Sequence, residues 1–143
     1  MRASLLEEGS TMLDQAIVTA NIPAADLARA RSFYADRLGL TVAEEVGGVA
    51  LLYRAGGDSW FTIYQTEYAG QAGHTIAQFH VDDVADVVRD LHANDVAFEH
   101  YDLPGVEWDG DVASMSGVGK AAWFKDSEGN VMCIDDARPA AVT

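Results

Sequence analysis

A single cysteine, Cys133, is all the thiol chemistry this 143-residue chain carries, so no internal disulfide can brace it, and a reducing compartment suits it. Basic residues are scarce too: 9 Lys and Arg stand against 23 Asp and Glu, a net charge of −14. A field of that sign repels nucleic acid and anionic membrane surfaces and draws cationic ligands inward. No apolar run reaches the roughly 18 residues that a membrane-spanning helix needs. The first residues, Met1 to Asp14, hold one arginine and the acidic pair Glu7-Glu8 but no long apolar stretch. That argues against a secretory signal and, with the lone thiol, for a cytoplasmic protein. A phosphate-binding glycine loop, a Ser-His-Asp order and a basic stripe are also missing. What is there, 49% hydrophobic and 22% charged residues, is the composition of one globular domain.

Residues 1–14 read as an N-terminal extension, and regular structure is expected from Gln15. Ala16–Ile22 leans towards strand and is expected to end at Pro23, which cannot continue a central strand. Asp26 then caps a helix with Leu27, Ala30, Tyr34 and Leu38 on one face, closed by Gly39. Strand candidates follow at Thr41–Glu45, Val49–Arg54 and Trp60–Thr66, separated by Gly47-Gly48 and Gly56-Gly57. Residues 69–74 read as a linker, after which the order restarts. Thr75–Val81 is a strand, and Asp83 caps a helix with Val84, Val87, Val88 and Leu91 at helical spacing. Strands at Val96–Tyr101, Lys120–Phe124 and Asn130–Asp135 follow, and residues 138–143 form a tail. The two capping aspartates stand about 57 residues apart, so the chain is a duplicated βαβββ unit, 15–68 and 75–137.

Three segments carry a resemblance. Asn21–Leu27 with Ser32-Phe33-Tyr34 and Leu38-Gly39-Leu40 is the first, and Phe79–Val84 is the second. The third is Trp123–Val131, with Ser127 where a proline is usual. In this order and spacing they resemble the vicinal oxygen chelate superfamily of glyoxalases, bleomycin-resistance proteins and extradiol dioxygenases. The resemblance implies an α+β fold: two βαβββ modules whose sheets curl into half-barrels around a cavity that holds the function. It also implies a homodimer, since relatives often complete their cavities across a dimer interface.

Metal-dependent members place ligands seven residues before each helix-capping aspartate, four after the glycine of the last turn, and on the fourth strand. By that resemblance the positions here are Thr19, Ile76, Cys133 and one of Thr62, Ile63 and Tyr64. None is His, Asp or Glu, and a catalytic zinc needs about three protein ligands. No metal or other cofactor is therefore expected at that place. A displaced site at His80 and Asp135 is the alternative.

Strand alternation puts Asn21 with Thr19, and Gln78 and His80 with Ile76, on the face that would line the cavity. There they either hydrogen-bond a ligand, with His80 as an acid/base candidate, or are satisfied internally. A one-residue slip would bring Phe79 and Val81 there instead. Cys133 reads as a buried small hydrophobe before it reads as a nucleophile. His100 is expected to be solvated, and His74 and His92 receive no role. Trp60, Tyr64, Trp108 and Trp123 supply aromatic surface, and one of Trp123 and Phe124 must be core. Residues Asp102–Gly119, rich in Gly, Asp and Ser, read as a long loop carrying Trp108 over the cavity. Two functions are compatible with this pattern. One is metal-free binding of a small aromatic or cationic molecule, with Glu107 and Asp109 on an acidic rim. The other is a lyase, isomerase or dioxygenase of the same fold that uses a displaced metal or His80.

Overall fold

The computed structural model describes residues 12–137. The first module runs β1 (Ala20–Ala24), α1 (Leu27–Asp36), β2 (Val42–Val46), β3 (Ala50–Arg54) and β4 (Trp60–Gln65). The second runs β5 (Thr75–His80), α2 (Val84–Ala93), β6 (Phe98–Glu99), β7 (Val106–Asp109), β8 (Val112–Met115), β9 (Gly119–Lys125) and β10 (Val131–Asp135). Both helices begin alike. The Asp26 carboxylate accepts from the Arg29 N–H at 3.0 Å, and that of Asp83 from the Asp86 N–H at 3.1 Å. Each cap satisfies a backbone donor that the first helical turn leaves open. No helix among the described residues is long and apolar enough to cross a membrane.

The first sheet is ordered β1-β4-β3-β2 and the second β5-β10-β9-β8-β7, with β6 also on β9. In each, the strand before the helix pairs parallel with the last strand of its module, and the other pairs are antiparallel. The duplication read from the two aspartates is thus a duplication of topology. The second module differs by one insertion, the β7–β8 hairpin, turned by Gly110 and Asp111 and laid against β9.

Two expectations need correction. Pro23 does not end the first strand but lies inside it, because β1 is an edge strand and needs no N–H donor on its open side. Residues Asp102–Gly119 are not one long loop, since eight of them form the two strands of the β7–β8 hairpin.

Alternation along the strands separates two faces. On one, Ile22, Leu51, Tyr53, Phe61 and Ile63 pack beneath Ala30 and Tyr34 of α1, and Ala122, Phe124, Met132 and Ile134 beneath Val84 and Val88 of α2. These residues form one buried cluster spanning both modules. The modules therefore meet through the faces that carry the helices. The rings of Phe61 and Phe79 touch edge to face at 6.4 Å. An apolar cavity of about 150 Å³ remains where Leu38 and Leu40 face Phe79, Val87 and Leu91.

The seam is clasped by the turn between β9 and β10. Asp126 Oδ1 accepts the backbone N–H groups of Glu128 and Asn130, both at 2.9 Å, and Gly129 supplies φ +87°. So shaped, the turn reaches the first module at four points. Tyr34 Oη donates to Asp126 Oδ2 at 2.7 Å, and Asn130 Nδ2 donates to the Pro23 carbonyl at 2.8 Å. Arg29 donates twice to Glu128, at 2.8 and 2.9 Å, and the Asp26 N–H donates once at 2.9 Å. Ser127, in the place of the usual proline, donates its hydroxyl to the same carboxylate at 2.8 Å. Gly70 of the linker lies so close that a Cβ there would stand 2.6 Å from the Glu128 carbonyl.

Candidate functional site

The helices cover one face of each sheet and leave the opposite face open. In the second module the strand register fixes what stands there. Gln78, Cys133, Trp123 and Glu99 form one row across β5, β10, β9 and β6. His80, Asp135, Ala121, Ala113 and Trp108 form the next, across β5, β10, β9, β8 and β7. Ala113, Ala121 and Cys133 are buried yet stand apart from the helix-side core. They are the low floor of a tray with taller side chains at both ends.

One end is polar. His80 Nδ1 lies 2.6 Å from Asp135 Oδ1, and Gln78 Nε2 donates to Asp135 Oδ2 at 3.3 Å. An ionised carboxylate only accepts, so Nδ1 carries the proton and Nε2 of the neutral ring is an acceptor. The His80 side chain is 35% exposed, and its Nε2 has no partner among the described residues.

The other end is aromatic. Trp108 and Trp123 stand 6.1 Å apart, Tyr101 meets Trp123 edge to face at 5.7 Å, and His100 stacks on Trp108 at 4.3 Å. Trp108 is held by its hairpin, which a second contact secures. Asp111 accepts from His92 Nε2 at 2.5 Å and from His100 Nε2 at 2.7 Å. The hydrogen bond from His100, then that from His92, outweighs burial and holds the Asp111 carboxyl below its ordinary value. Tyr101 and Asp111 were not singled out from sequence, and His100 was expected there only to be solvated. The signal was the alternation of Val106–Asp109 and Val112–Met115 about the two-residue turn Gly110-Asp111.

In the first module the open face carries Asn21, Trp60, Thr62 and Tyr64, with Arg54 4.4 Å above the Trp60 ring. Tyr64 is 40% exposed, and Thr19, one residue before β1, is exposed too. The residues singled out from sequence thus divide into two sets: Thr19, Asn21, Trp60 and Tyr64 on one sheet, and Gln78, His80, Trp108, Trp123 and Cys133 on the other. No hydrogen bond or ring contact joins the sets among the described residues, so the chain alone builds two trays and no enclosed inter-module cavity around them. Ile76 is a further departure. The pairing shifts between Val131 and Met132, which leaves Ile76 unpaired across the strands and packed against the core. The rivalry on β9 resolves with Phe124 in the core and Trp123 on the tray. His100 is half-exposed but bonded, and His92 has a structural partner.

The family's metal positions do not fit a metal here. Thr19 offers one exposed hydroxyl, and Ile76 has no donor atom. Burial first of all, with the Asp135 charge adding to it, pushes the Cys133 thiol up to about 11, against a hydrogen bond from Gln78. A thiol so held stays protonated at neutral pH, whereas metal ligation needs the thiolate. His80 and Asp135 are two donors already bonded to each other, and no group of three His, Cys, Asp or Glu among the described residues is placed to hold an ion.

The curled pair of sheets, the duplicated capped helix and the two open sheet faces define a glyoxalase-like protein. The family model "Glyoxalase/Bleomycin resistance protein/Dioxygenase superfamily" matches residues 16–134, and the chain belongs to this family. Among solved structures it is similar to TnmS3, an antibiotic binding protein from Streptomyces sp. CB03234, at 22% identity and TM-score 0.63, covering 85% of this chain and 97% of that one. It is also similar to a bleomycin-binding protein complexed with bleomycin, at 17% identity and TM-score 0.63, with 85% and 98% covered. A third is the lactoylglutathione lyase from Agrobacterium tumefaciens, at 18% identity and TM-score 0.63, with 85% and 92% covered. Likeness at these identities concerns the fold. The search of curated proteins found no match.

Proposed function

We propose that the chain binds a small planar aromatic or cationic molecule, without a metal, on the tray of its second module. The observation that carries this reading is the half-exposed pair of Trp108 and Trp123 with Tyr101, beside a floor of alanine and cysteine. Flat apolar surface with a few convergent polar groups is what small-molecule sites offer. Indole faces stack on planar rings and attract cations, and the net charge of −14 assists the second case. Two relatives named for binding antibiotics share the fold.

A homodimer belongs to the same reading. Each chain presents two open faces and buries their backs against each other, so a closed cavity is obtained when the first-module tray of one copy covers the second-module tray of another. The test is quenching of tryptophan fluorescence by 2-methoxynaphthalene, using wild-type protein, Trp123→Ala and EDTA-dialysed protein. Saturable quenching that survives the chelator and weakens at least tenfold in Trp123→Ala is expected. Binding that vanishes with EDTA and returns with added metal would overturn the metal-free site. His80 held by Asp135 is also what an acid–base catalyst needs, and this pair gives the catalytic reading its one support.

A further inference from the structure

We infer that the ligand of the second-module tray is a hydroxylated planar aromatic, a phenol or fused-ring phenol, whose hydroxyl donates a hydrogen bond to His80 Nε2. The inference rests on the aromatic reading above and adds the chemistry of the polar end. Asp135 accepts from both neighbours on β5, from His80 Nδ1 at 2.6 Å and from Gln78 Nε2 at 3.3 Å. In the neutral ring, with the Nδ1 proton committed to the carboxylate, Nε2 presents a lone pair. That lone pair has no partner among the described residues.

The other polar groups on the tray are engaged with one another, apart from the Gln78 amide oxygen. Gln78 is turned to Asp135, the Cys133 thiol is directed to the Ile134 carbonyl at 3.7 Å, and Glu99 takes Tyr101 Oη at 3.4 Å and Lys125 at 3.9 Å. Among the described residues the polar end therefore leaves two acceptor atoms unfilled, His80 Nε2 and Gln78 Oε1, and the imidazole nitrogen is the more basic of the two. His80 and Trp123 stand on β5 and β9 with β10 between them and one row apart, so strand spacing and rise set their backbones roughly 12 Å apart. Cys133 and Ala121 keep the ground between them low. A bicyclic ring spans such a gap, with one edge on the indoles and a substituent oxygen at the imidazole. A ligand bearing only acceptors at that edge would set a lone pair against a lone pair.

The test compares 2-naphthol with 2-methoxynaphthalene, which share the ring but differ in the donor hydrogen, by tryptophan quenching and by calorimetry at neutral pH. Wild-type protein is expected to bind the naphthol about tenfold tighter, the weight of one hydrogen bond in a half-buried site. In His80→Phe the ratio of the two affinities falls to about one, whatever their common level. In Asp135→Asn His80 remains but its tautomer is no longer imposed, as happens when a histidine's orienting aspartate becomes asparagine. The naphthol preference there drops severalfold, and 2-acetylnaphthalene, an acceptor, gains. Equal wild-type affinity for naphthol and its methyl ether overturns this inference and leaves the aromatic site standing. Binding of neither probe overturns both.

Discussion

Glu128 sits at the seam between the modules and sets how the fold responds to acid. Burial alone would raise its pKa. The two hydrogen bonds from Arg29, the Asp26 N–H and the Ser127 hydroxyl outweigh that and hold it at about 2 instead of the ordinary 4.5. By linkage a carboxyl so displaced contributes about 3 kcal/mol to folding at neutral pH. Arg29 is 54% exposed, so solvent screening reduces this to about 2 kcal/mol. A depressed carboxylate stabilises fully above its unfolded value and loses that contribution as pH falls through the folded one, here between about 4.5 and 2. Glu128→Gln keeps the shape and removes the charge. At pH 7 it should lower stability by about 2 kcal/mol in urea titrations, and the melting temperature by about 6 °C. Near pH 2 the two proteins should converge. Comparison at each pH cancels every other titrating group, so the difference curve reports Glu128 alone. A variant as stable as wild type at pH 7, or a deficit unchanged at pH 2, refutes the clasp as an electrostatic contribution.

Two further predictions concern Tyr53 inside β3 and Asp111 in the hairpin turn. The Tyr53 hydroxyl is buried with no hydrogen-bond partner among the described residues, its ring stacked on Phe61 at 4.9 Å, so Tyr53→Phe removes a polar group they leave unmet and keeps the stack. Chemical denaturation should show it unchanged or up to about 1 kcal/mol more stable, and a loss above that size would mean the hydroxyl has a bound water. Asp111→Ala deprives His92 and His100 of their shared acceptor and should cost about 1 kcal/mol. Amide exchange across Val106–Met115 should quicken in that variant, and wild-type protein should show the same loosening as acid protonates Asp111. Unchanged exchange in the hairpin would show that its pairing with β9 suffices.

The repeat could be read from sequence because each module opens with the same local device, an aspartate capping a helix after a strand, and capping is decided within three residues. The choice between Trp123 and Phe124 needed the register of β10, which alternation bounds but does not set. The hairpin was missed since Gly, Asp and Ser dominate Asp102–Gly119 and mask two four-residue alternations. Pro23 was misplaced for a different reason. Whether a strand lies at an edge is a property of the whole sheet, invisible at the residue itself. The seam is less legible still: Glu128 meets partners 99 and 102 residues earlier in the chain, and nothing near Glu128 announces them.

That seam also bears on how one fold carries different chemistries. The modules are joined through their helix-bearing faces and by the turn from Asp126 to Asn130, so the open faces contribute little to holding the chain together. A side chain there can change without loosening the core. Thr19, Ile76 and Cys133 at the family's metal positions cost the fold nothing: Cys133 is buried, Ile76 is partly buried against the core, and Thr19 is in solvent. The same independence let a hairpin be added to the second sheet, where it brings Trp108 beside Trp123 at 6.1 Å and is tied down by residues outside the core. The seam, by contrast, tolerates little, because Asp126, Glu128 and Asn130 are all buried and each bonds across or around the turn. Substitution should therefore lower the stability of the fold more at the clasp than at His80 or Trp108 on the tray.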